Sequence, residues 1–100
     1  MPNGRFEDRT AIVTGAGRGM GRAVAKILAR EGASVVINDI RAGLVDSVVK
    51  EIEDAGWSAM RCVADVSVQD KVSAMVSATV DRFGALDILV NSAGILRRAA

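Results

Sequence analysis

Ten residues near the start of the chain, Ile12-Val-Thr-Gly-Ala-Gly-Arg-Gly-Met-Gly21, limit its fold more than any other stretch. A β-branched apolar run breaks into alternating glycines at 15, 17, 19 and 21, and an amphipathic pattern follows at once. Glycine carries the backbone through positive φ and lets a ligand approach the main chain. The helix after such a loop aims its unpaired N–H groups and its positive end back at it. Strand, tight loop and helix in that order suit a pyrophosphate, the charged centre of a dinucleotide. A strand–helix corner with no ligand gives the same pattern, so the motif needs support from elsewhere.

The rest of the chain repeats the alternation. Thr10 to Thr14 reads as a first strand, and its continuous apolar run suits burial on both faces of a parallel sheet. Gly19 to Glu31 predicts a helix with Val24, Ile27 and Leu28 on its apolar face, opposite Arg22, Lys26 and Arg30. Gly32 closes it. Ser34 to Asn38 is a second strand. Ala42 to Ala55 is a second helix, with a stripe of Leu44, Val45, Val48, Ile52 and Ala55, ended by Gly56. Trp57 to Ala64 is a third strand. Ser67 is the expected N-cap of a third helix that reaches Phe83. Its stripe is Val72, Met75, Val76, Thr79, Val80 and Phe83, expected to face the core. Asp87 to Val90 is a fourth strand, and Asn91-Ser-Ala-Gly94 is the loop at its end.

Strands alternating with helices of this length imply parallel βαβ units, an α/β fold with a doubly wound sheet. The fourth strand is apolar enough for a sheet interior, and a bare apolar edge is one that proteins avoid. The expectation is a sheet left incomplete after the fourth strand. Residues 1–100 are then the N-terminal portion of a longer single domain.

Composition removes several chemistries. Half the residues are apolar and a quarter charged, which fits a globular chain. Net charge is +1 with no basic block beyond Arg97-Arg98, so no nucleic-acid partner is expected. Cys62 is the single cysteine and lies in an apolar run, which excludes an internal disulfide and reads as a core position. With no histidine and one cysteine, no metal-ligand spacing exists and no Ser-His-Asp or Cys-His system can be built. The 100 residues hold no tyrosine acid or base either. The first ten residues lack the apolar region of a signal peptide, and no run is long enough to span a bilayer. Cytoplasm, with no membrane partner, is the expected location.

The glycine spacing carries more detail. The common G-x-G-x-x-G fingerprint fails from Gly15, where Met20 takes the third place, and from Gly17, where Arg22 does. The spacing that holds is T-G-x-x-x-G-x-G, through Thr14, Gly15, Gly19 and Gly21. Gly15 turns the chain off the strand, Gly19 admits the pyrophosphate, and Gly21 lets helix and strand pack. Asp39 lies 24 residues after Gly15, at the end of the second strand. An acid at about that distance accepts from the adenosine ribose hydroxyls and repels a 2′-phosphate, favouring NAD over NADP. Arg18 and Arg41 argue the other way, since either could pair with a 2′-phosphate. The competing reading of Asp39 is an acid at a helix N-terminus. Thr14-Gly15, Asp39, Asp65 and Asn91 all fall at carboxyl ends of strands, where open parallel sheets place their ligands.

With these residues on one rim, the chain resembles the N-terminal part of a classical short-chain dehydrogenase/reductase. The matching pieces are Thr14 to Gly21, Asn38-Asp39, Asp65-Val66 and Asn91-Ser-Ala-Gly94, spread from Phe6 to Ile95. The resemblance implies a Rossmann-type sheet and hydride transfer between a nicotinamide and a small-molecule alcohol or carbonyl substrate. It implies that Gly15, Arg18, Gly19, Met20 and Gly21 form the pyrophosphate loop, and that Asp39 and Ile40 border the ribose. Asp65 contacts the adenine amino group and Val66 the adenine ring. Asn91, Ala93 and Gly94 brace the sheet beside the other ribose. NAD is the preferred cofactor, with NADP the alternative, and a homodimer or homotetramer is the implied full-length assembly.

Two departures follow. The family motif reads N-N-A-G, and Ser92 stands at its second position, where a shorter side chain implies a weaker brace. The family's catalytic Asn, Ser and Tyr-x-x-x-Lys lie beyond this motif, so the resemblance assigns no catalytic residue within these 100 and no metal. The segment alone is expected to be inactive. The competing readings are a truncated, non-catalytic dinucleotide-binding remnant and, less favoured by the glycine spacing, an S-adenosylmethionine site.

Overall fold

The computed structural model describes residues 4–92. Four strands and three helices alternate: β1 (Thr10–Thr14), α1 (Gly19–Arg30), β2 (Ser34–Asp39), α2 (Ala42–Asp54), β3 (Ala59–Val63), α3 (Gln69–Phe83) and β4 (Ile88–Asn91). All pairings are parallel, in the order β3-β2-β1-β4. Chain order therefore runs outward from β1 to β3 and then crosses back to β4. The reversal makes a switch point between β1 and β4, as in a Rossmann-type doubly wound sheet.

Side-chain alternation along the central strands feeds two cores. Ala11 and Val13 of β1 and Val35 and Ile37 of β2 point to one face, where they meet Ala25, Leu28 and Ala29 of α1 and Val45, Val48 and Ile52 of α2. Ile12 and Val36 point to the other face, against Met75 of α3. Both central strands are thus covered on both sides, which is why their sequences read as unbroken apolar runs.

The helix ends follow from local chemistry. After α1, the Ala33 N–H donates to the Leu28 carbonyl and the Gly32 N–H to the Ala29 carbonyl, each at 3.0 Å. Trp57 and Gly56 repeat that pair on Ile52 and Glu53 after α2. These are Schellman closures, with a buried apolar residue near each. Trp57 is thereby used in closing α2, so β3 begins later than the expected Trp57.

Several expectations change. Ser67 does not cap α3: that helix starts at Gln69 after Val68, with no side-chain cap bond. Instead Ser67 donates both its hydroxyl (2.7 Å) and its N–H (2.9 Å) to Asp65 Oδ1, an Asx-type turn that competes with capping. Ile27 is 47% exposed, because the buried side of α1 centres on Gly21, Ala25, Leu28 and Ala29. Ala55 is exposed and lies in the turn after α2, outside its buried stripe. Val80 is exposed too. Among the described residues α3 is the one helix on its face, so nothing flanks it there. Cys62 is half-buried, packed against the Ile12, Val36 and Met75 cluster. The fourth strand spans Ile88–Asn91, and Asp87 sits before it as a bracket: its Oδ2 accepts from the Thr10 N–H at 2.8 Å, while its N–H donates to the Thr10 carbonyl at 2.9 Å. Leu89 of this outer strand is 61% exposed.

Candidate functional site

A cleft of about 520 Å³ opens at the carboxyl ends of the strands, beside the start of α1. Its floor is built by the turn after β1. Gly15 holds φ 63°, where a side chain would be strained, and drops the chain so that the Ala16 N–H reaches the Asn38 carbonyl at 2.8 Å. Gly19 holds φ 62°, and a Cβ there would meet nothing within 4 Å. The space in front of it is open. Gly21 is the opposite case: a Cβ would run into the Gly15 carbonyl oxygen and lie 2.5 Å from Ser92 Oγ. Helix α1 therefore sits hard against the end of β1. Its first turn carries no acid and no side-chain cap. The positive end of α1 is left free for an anion.

Asp39 forms the wall at the end of β2. It is only 3% exposed, and four N–H groups converge on its carboxylate. Oδ1 accepts from the Arg41 backbone N–H at 3.1 Å and from Arg41 Nε at 2.8 Å. Oδ2 accepts from the Gly17 N–H at 3.1 Å and from Arg41 Nη2 at 2.9 Å. The Arg41 guanidinium is the largest influence and holds the acid at about 2, against the opposing pull of burial. Gly17 is required as glycine, since a Cβ there would lie 2.8 Å from Asp39 Oδ2 and from Leu44 Cβ. Asp65 is exposed across the cleft, and its two bonds from Ser67 hold its acid below the ordinary range.

Two residues outside the expected site set also shape this site. Asn38 is almost wholly buried, and its Nδ2 donates to the carbonyls of Cys62 and Ala64 at 3.1 and 3.2 Å, tying the end of β2 to the end of β3. A polar residue inside an apolar strand was the available signal, because a buried amide needs partners. Arg41, expected as a partner for a 2′-phosphate, is here the main partner of Asp39.

Seven of the expected residues line the cleft: Gly15, Arg18, Gly19, Asp39, Ile40, Asp65 and Val66. Met20 is 78% exposed at its side and Gly21 is buried behind it. Asn91 faces a second, smaller cleft of about 220 Å³, with Thr14, Met75 and Leu89 among its walls. Ala93 and Gly94, along with Arg97 and Arg98, lie outside the described residues. At the β1–β4 seam, the Thr14 hydroxyl donates to Asn91 Oδ1 at 2.8 Å and accepts from the Ser92 N–H at 3.2 Å. The Ser92 hydroxyl donates to the Thr14 carbonyl. Ser92 is thus tied into the seam through both its N–H and its hydroxyl. Its hydroxyl is close enough to the strand to reach the backbone directly.

The short chain dehydrogenase family model matches residues 9–100. The chain belongs to the short-chain dehydrogenase family. The 7alpha-hydroxysteroid dehydrogenase of Escherichia coli is 41% identical over 92% of this chain and 36% of its own length. An uncharacterized oxidoreductase of Methylorubrum extorquens is 45% identical over 96% of this chain and 39% of its own length. A solved 7 alpha-hydroxysteroid dehydrogenase, complexed with NADH and 7-oxo glycochenodeoxycholic acid, superposes with a TM-score of 0.84 at 40% identity. That match covers 87% of this chain and 34% of that one. The chain thus spans under two-fifths of the length of these oxidoreductases.

Among the described residues of this family member, no cluster of three or more His, Cys, Asp or Glu could hold a metal ion. No helix among them is long and apolar enough to cross a membrane. The residues that are present do fit a dinucleotide. The space before Gly19 is open, the positive helix end is uncapped, and a fixed carboxylate stands at the end of the next strand.

Proposed function

We propose that this segment supplies the dinucleotide site of an NAD(P)-dependent oxidoreductase, acting between an alcohol and the corresponding carbonyl compound. The observation that carries the reading is the pairing of an open, uncapped α1 N-terminus at Gly19 with the buried Asp39 carboxylate in one cleft. When bound, the nicotinamide accepts or gives the hydride. The chain's own residues hold and orient the rest of the molecule. Gly15, Arg18, Gly19, Met20 and Gly21 take the pyrophosphate through the first-turn N–H groups and the positive helix end. Asp39 and Ile40 take the adenosine ribose, and Asp65 and Val66 the adenine. Asn91, with Ala93 and Gly94, borders the second ribose.

Asp39 favours NAD, since its carboxylate repels a 2′-phosphate where it accepts from a 2′-hydroxyl. The NADH in the solved hydroxysteroid dehydrogenase supports that preference. NADP is the alternative, through Arg18 and Arg41. The substrate is a small molecule, and the site requires neither nucleic acid nor a membrane. Cytoplasmic location and a homo-oligomeric full-length protein complete the reading. No catalytic residue is assigned within these 100.

The test is a titration of the full-length protein with NADH and NADPH, followed by nicotinamide turnover across a panel of ketones and secondary alcohols. Saturable binding with turnover is the expected result. Binding with no turnover on any compound would favour a non-catalytic remnant. Failure to bind either dinucleotide would sink the reading altogether.

A further inference from the structure

The Asp39 carboxylate has no acceptor position to spare. A carboxylate offers about four lone-pair sites. Here four N–H groups fill them: Gly17, the Arg41 main chain, and two from the Arg41 guanidinium. The two main-chain donors are built into the loop and the turn before α2. The two guanidinium donors are not, because the Arg41 side chain is 42% exposed while that of Asp39 is 2% exposed. A ribose diol needs two acceptor sites on this carboxylate. Only the guanidinium can vacate them without unfolding the turn.

We propose that Arg41 occupies the ribose seat on Asp39 and is exchanged for the ribose hydroxyls when the dinucleotide binds. This rests on the dinucleotide reading above and adds a specificity-determining residue to it. The exchange has two consequences of opposite sign. For NADH, Arg41 is a competitor: part of the binding free energy goes into displacing a charge-assisted, two-pronged contact. For NADPH, the same guanidinium is already beside the place where a 2′-phosphate arrives. It can pair with the phosphate and offset the repulsion from Asp39. Arg41 therefore narrows the preference that Asp39 sets.

The other charged groups of the cleft do not take this part. Asp65 bears the wrong sign and is held by Ser67. Arg18 lines the cleft and makes no side-chain hydrogen bond to cap α1. Arg41 is the cation that holds Asp39 by two prongs.

The test is calorimetric titration of full-length wild type and Arg41→Ala with NADH and NADPH, with 2′-AMP and adenosine as probes that lack the nicotinamide. The side chain is exposed and the Arg41 main-chain bond survives the change, so the fold is expected to persist, and a thermal melt verifies it. Arg41→Ala is expected to tighten NADH and adenosine by a few-fold. It is expected to weaken NADPH and 2′-AMP by about tenfold or more, the scale of one lost charge-assisted contact. Equal weakening of all four ligands would overturn the proposal and make Arg41 only a prop for Asp39. No change in any would overturn it too, as a solvated arginine without a role. If wild type binds neither dinucleotide, the dinucleotide reading falls and takes this inference with it. That result is distinct from binding whose selectivity Arg41 fails to move.

Discussion

Asp39 is a carboxylate kept almost out of water and kept ionised at the same time. That combination is costly unless the charge is fully hydrogen-bonded, and Gly17 and Arg41 meet the requirement. Its folded-state pKa is lowered to about 2, below the ordinary 3.8, chiefly by the Arg41 guanidinium. A depressed carboxylate contributes stability that is present above the unfolded value and lost as pH falls through the folded one. Comparing wild type with Asp39→Asn in acid titrations, the stability difference is expected to be on the order of 2 kcal/mol at neutral pH. It is expected to vanish between about pH 4 and 2. In the proposed dinucleotide site the same residue bears on cofactor choice. Asp39→Ala is expected to weaken NADH by about tenfold and to narrow the gap to NADPH, as read by fluorescence titration. An unchanged ratio would leave Asp39 as only an acid before a helix. Gly21 answers to sterics alone. Gly21→Ala sets a methyl against the Gly15 carbonyl. It is expected to cost more than about 2 kcal/mol in thermal or denaturant unfolding, outweighing the better helix propensity of alanine.

Elements meet at seams, and the seam between β1 and β4 is held at both ends. Asp87 exchanges two bonds with Thr10 at the start. Thr14, Asn91 and Ser92 close the other end, beside the cleft. Between them the register Ala11–Ile88 to Thr14–Asn91 is a short parallel ladder. Asp87→Ala leaves the Thr10 N–H without its side-chain acceptor. It is expected to cost about 1–3 kcal/mol, with earlier hydrogen exchange in β4 than in β2. Exchange of both strands together would mean that the bracket adds nothing to the ladder. Across the sheet, Asn38 makes the same kind of tie between β2 and β3, and both ties lie near the proposed ligand. The elements that carry the cleft are thus pinned close to where it opens.

At the scale of the molecule, the two faces of the sheet are unequal. The face under α1 and α2 buries the larger cluster, whereas the α3 face buries Ile12, Val36 and Met75. Ile37→Ala, on the thicker face, is expected to cost about 2–5 kcal/mol, seen as a lower denaturant midpoint with an unchanged slope. A cost under about 1 kcal/mol would show that the cluster collapses around the gap. The kinds and order of the seven elements were legible in the chain itself. Continuous apolar runs, helical stripes and glycine stops are local signals of period and turn chemistry, and each acts within a few residues. So was the place of the cleft, because Thr14-Gly15 and Asp39 end strands and Asp65 closely follows one. Less legible were Ile27 and Val80, exposed according to what does or does not pack beside their helices, which a stripe cannot show, and Ser67, which bonds Asp65 two residues away instead of capping a helix. Sequence by itself determined a βαβ chain with a glycine-rich corner after its first strand and an acid one strand away. Tertiary structure decided the strand order β3-β2-β1-β4, the four bonds that saturate Asp39, and the Ser92 brace on Thr14. Those contacts join residues from 22 to 78 positions apart, apart from the local Arg41 clamp. Whether such residues meet is set by how the sheet buries its two faces, which no local pattern contains.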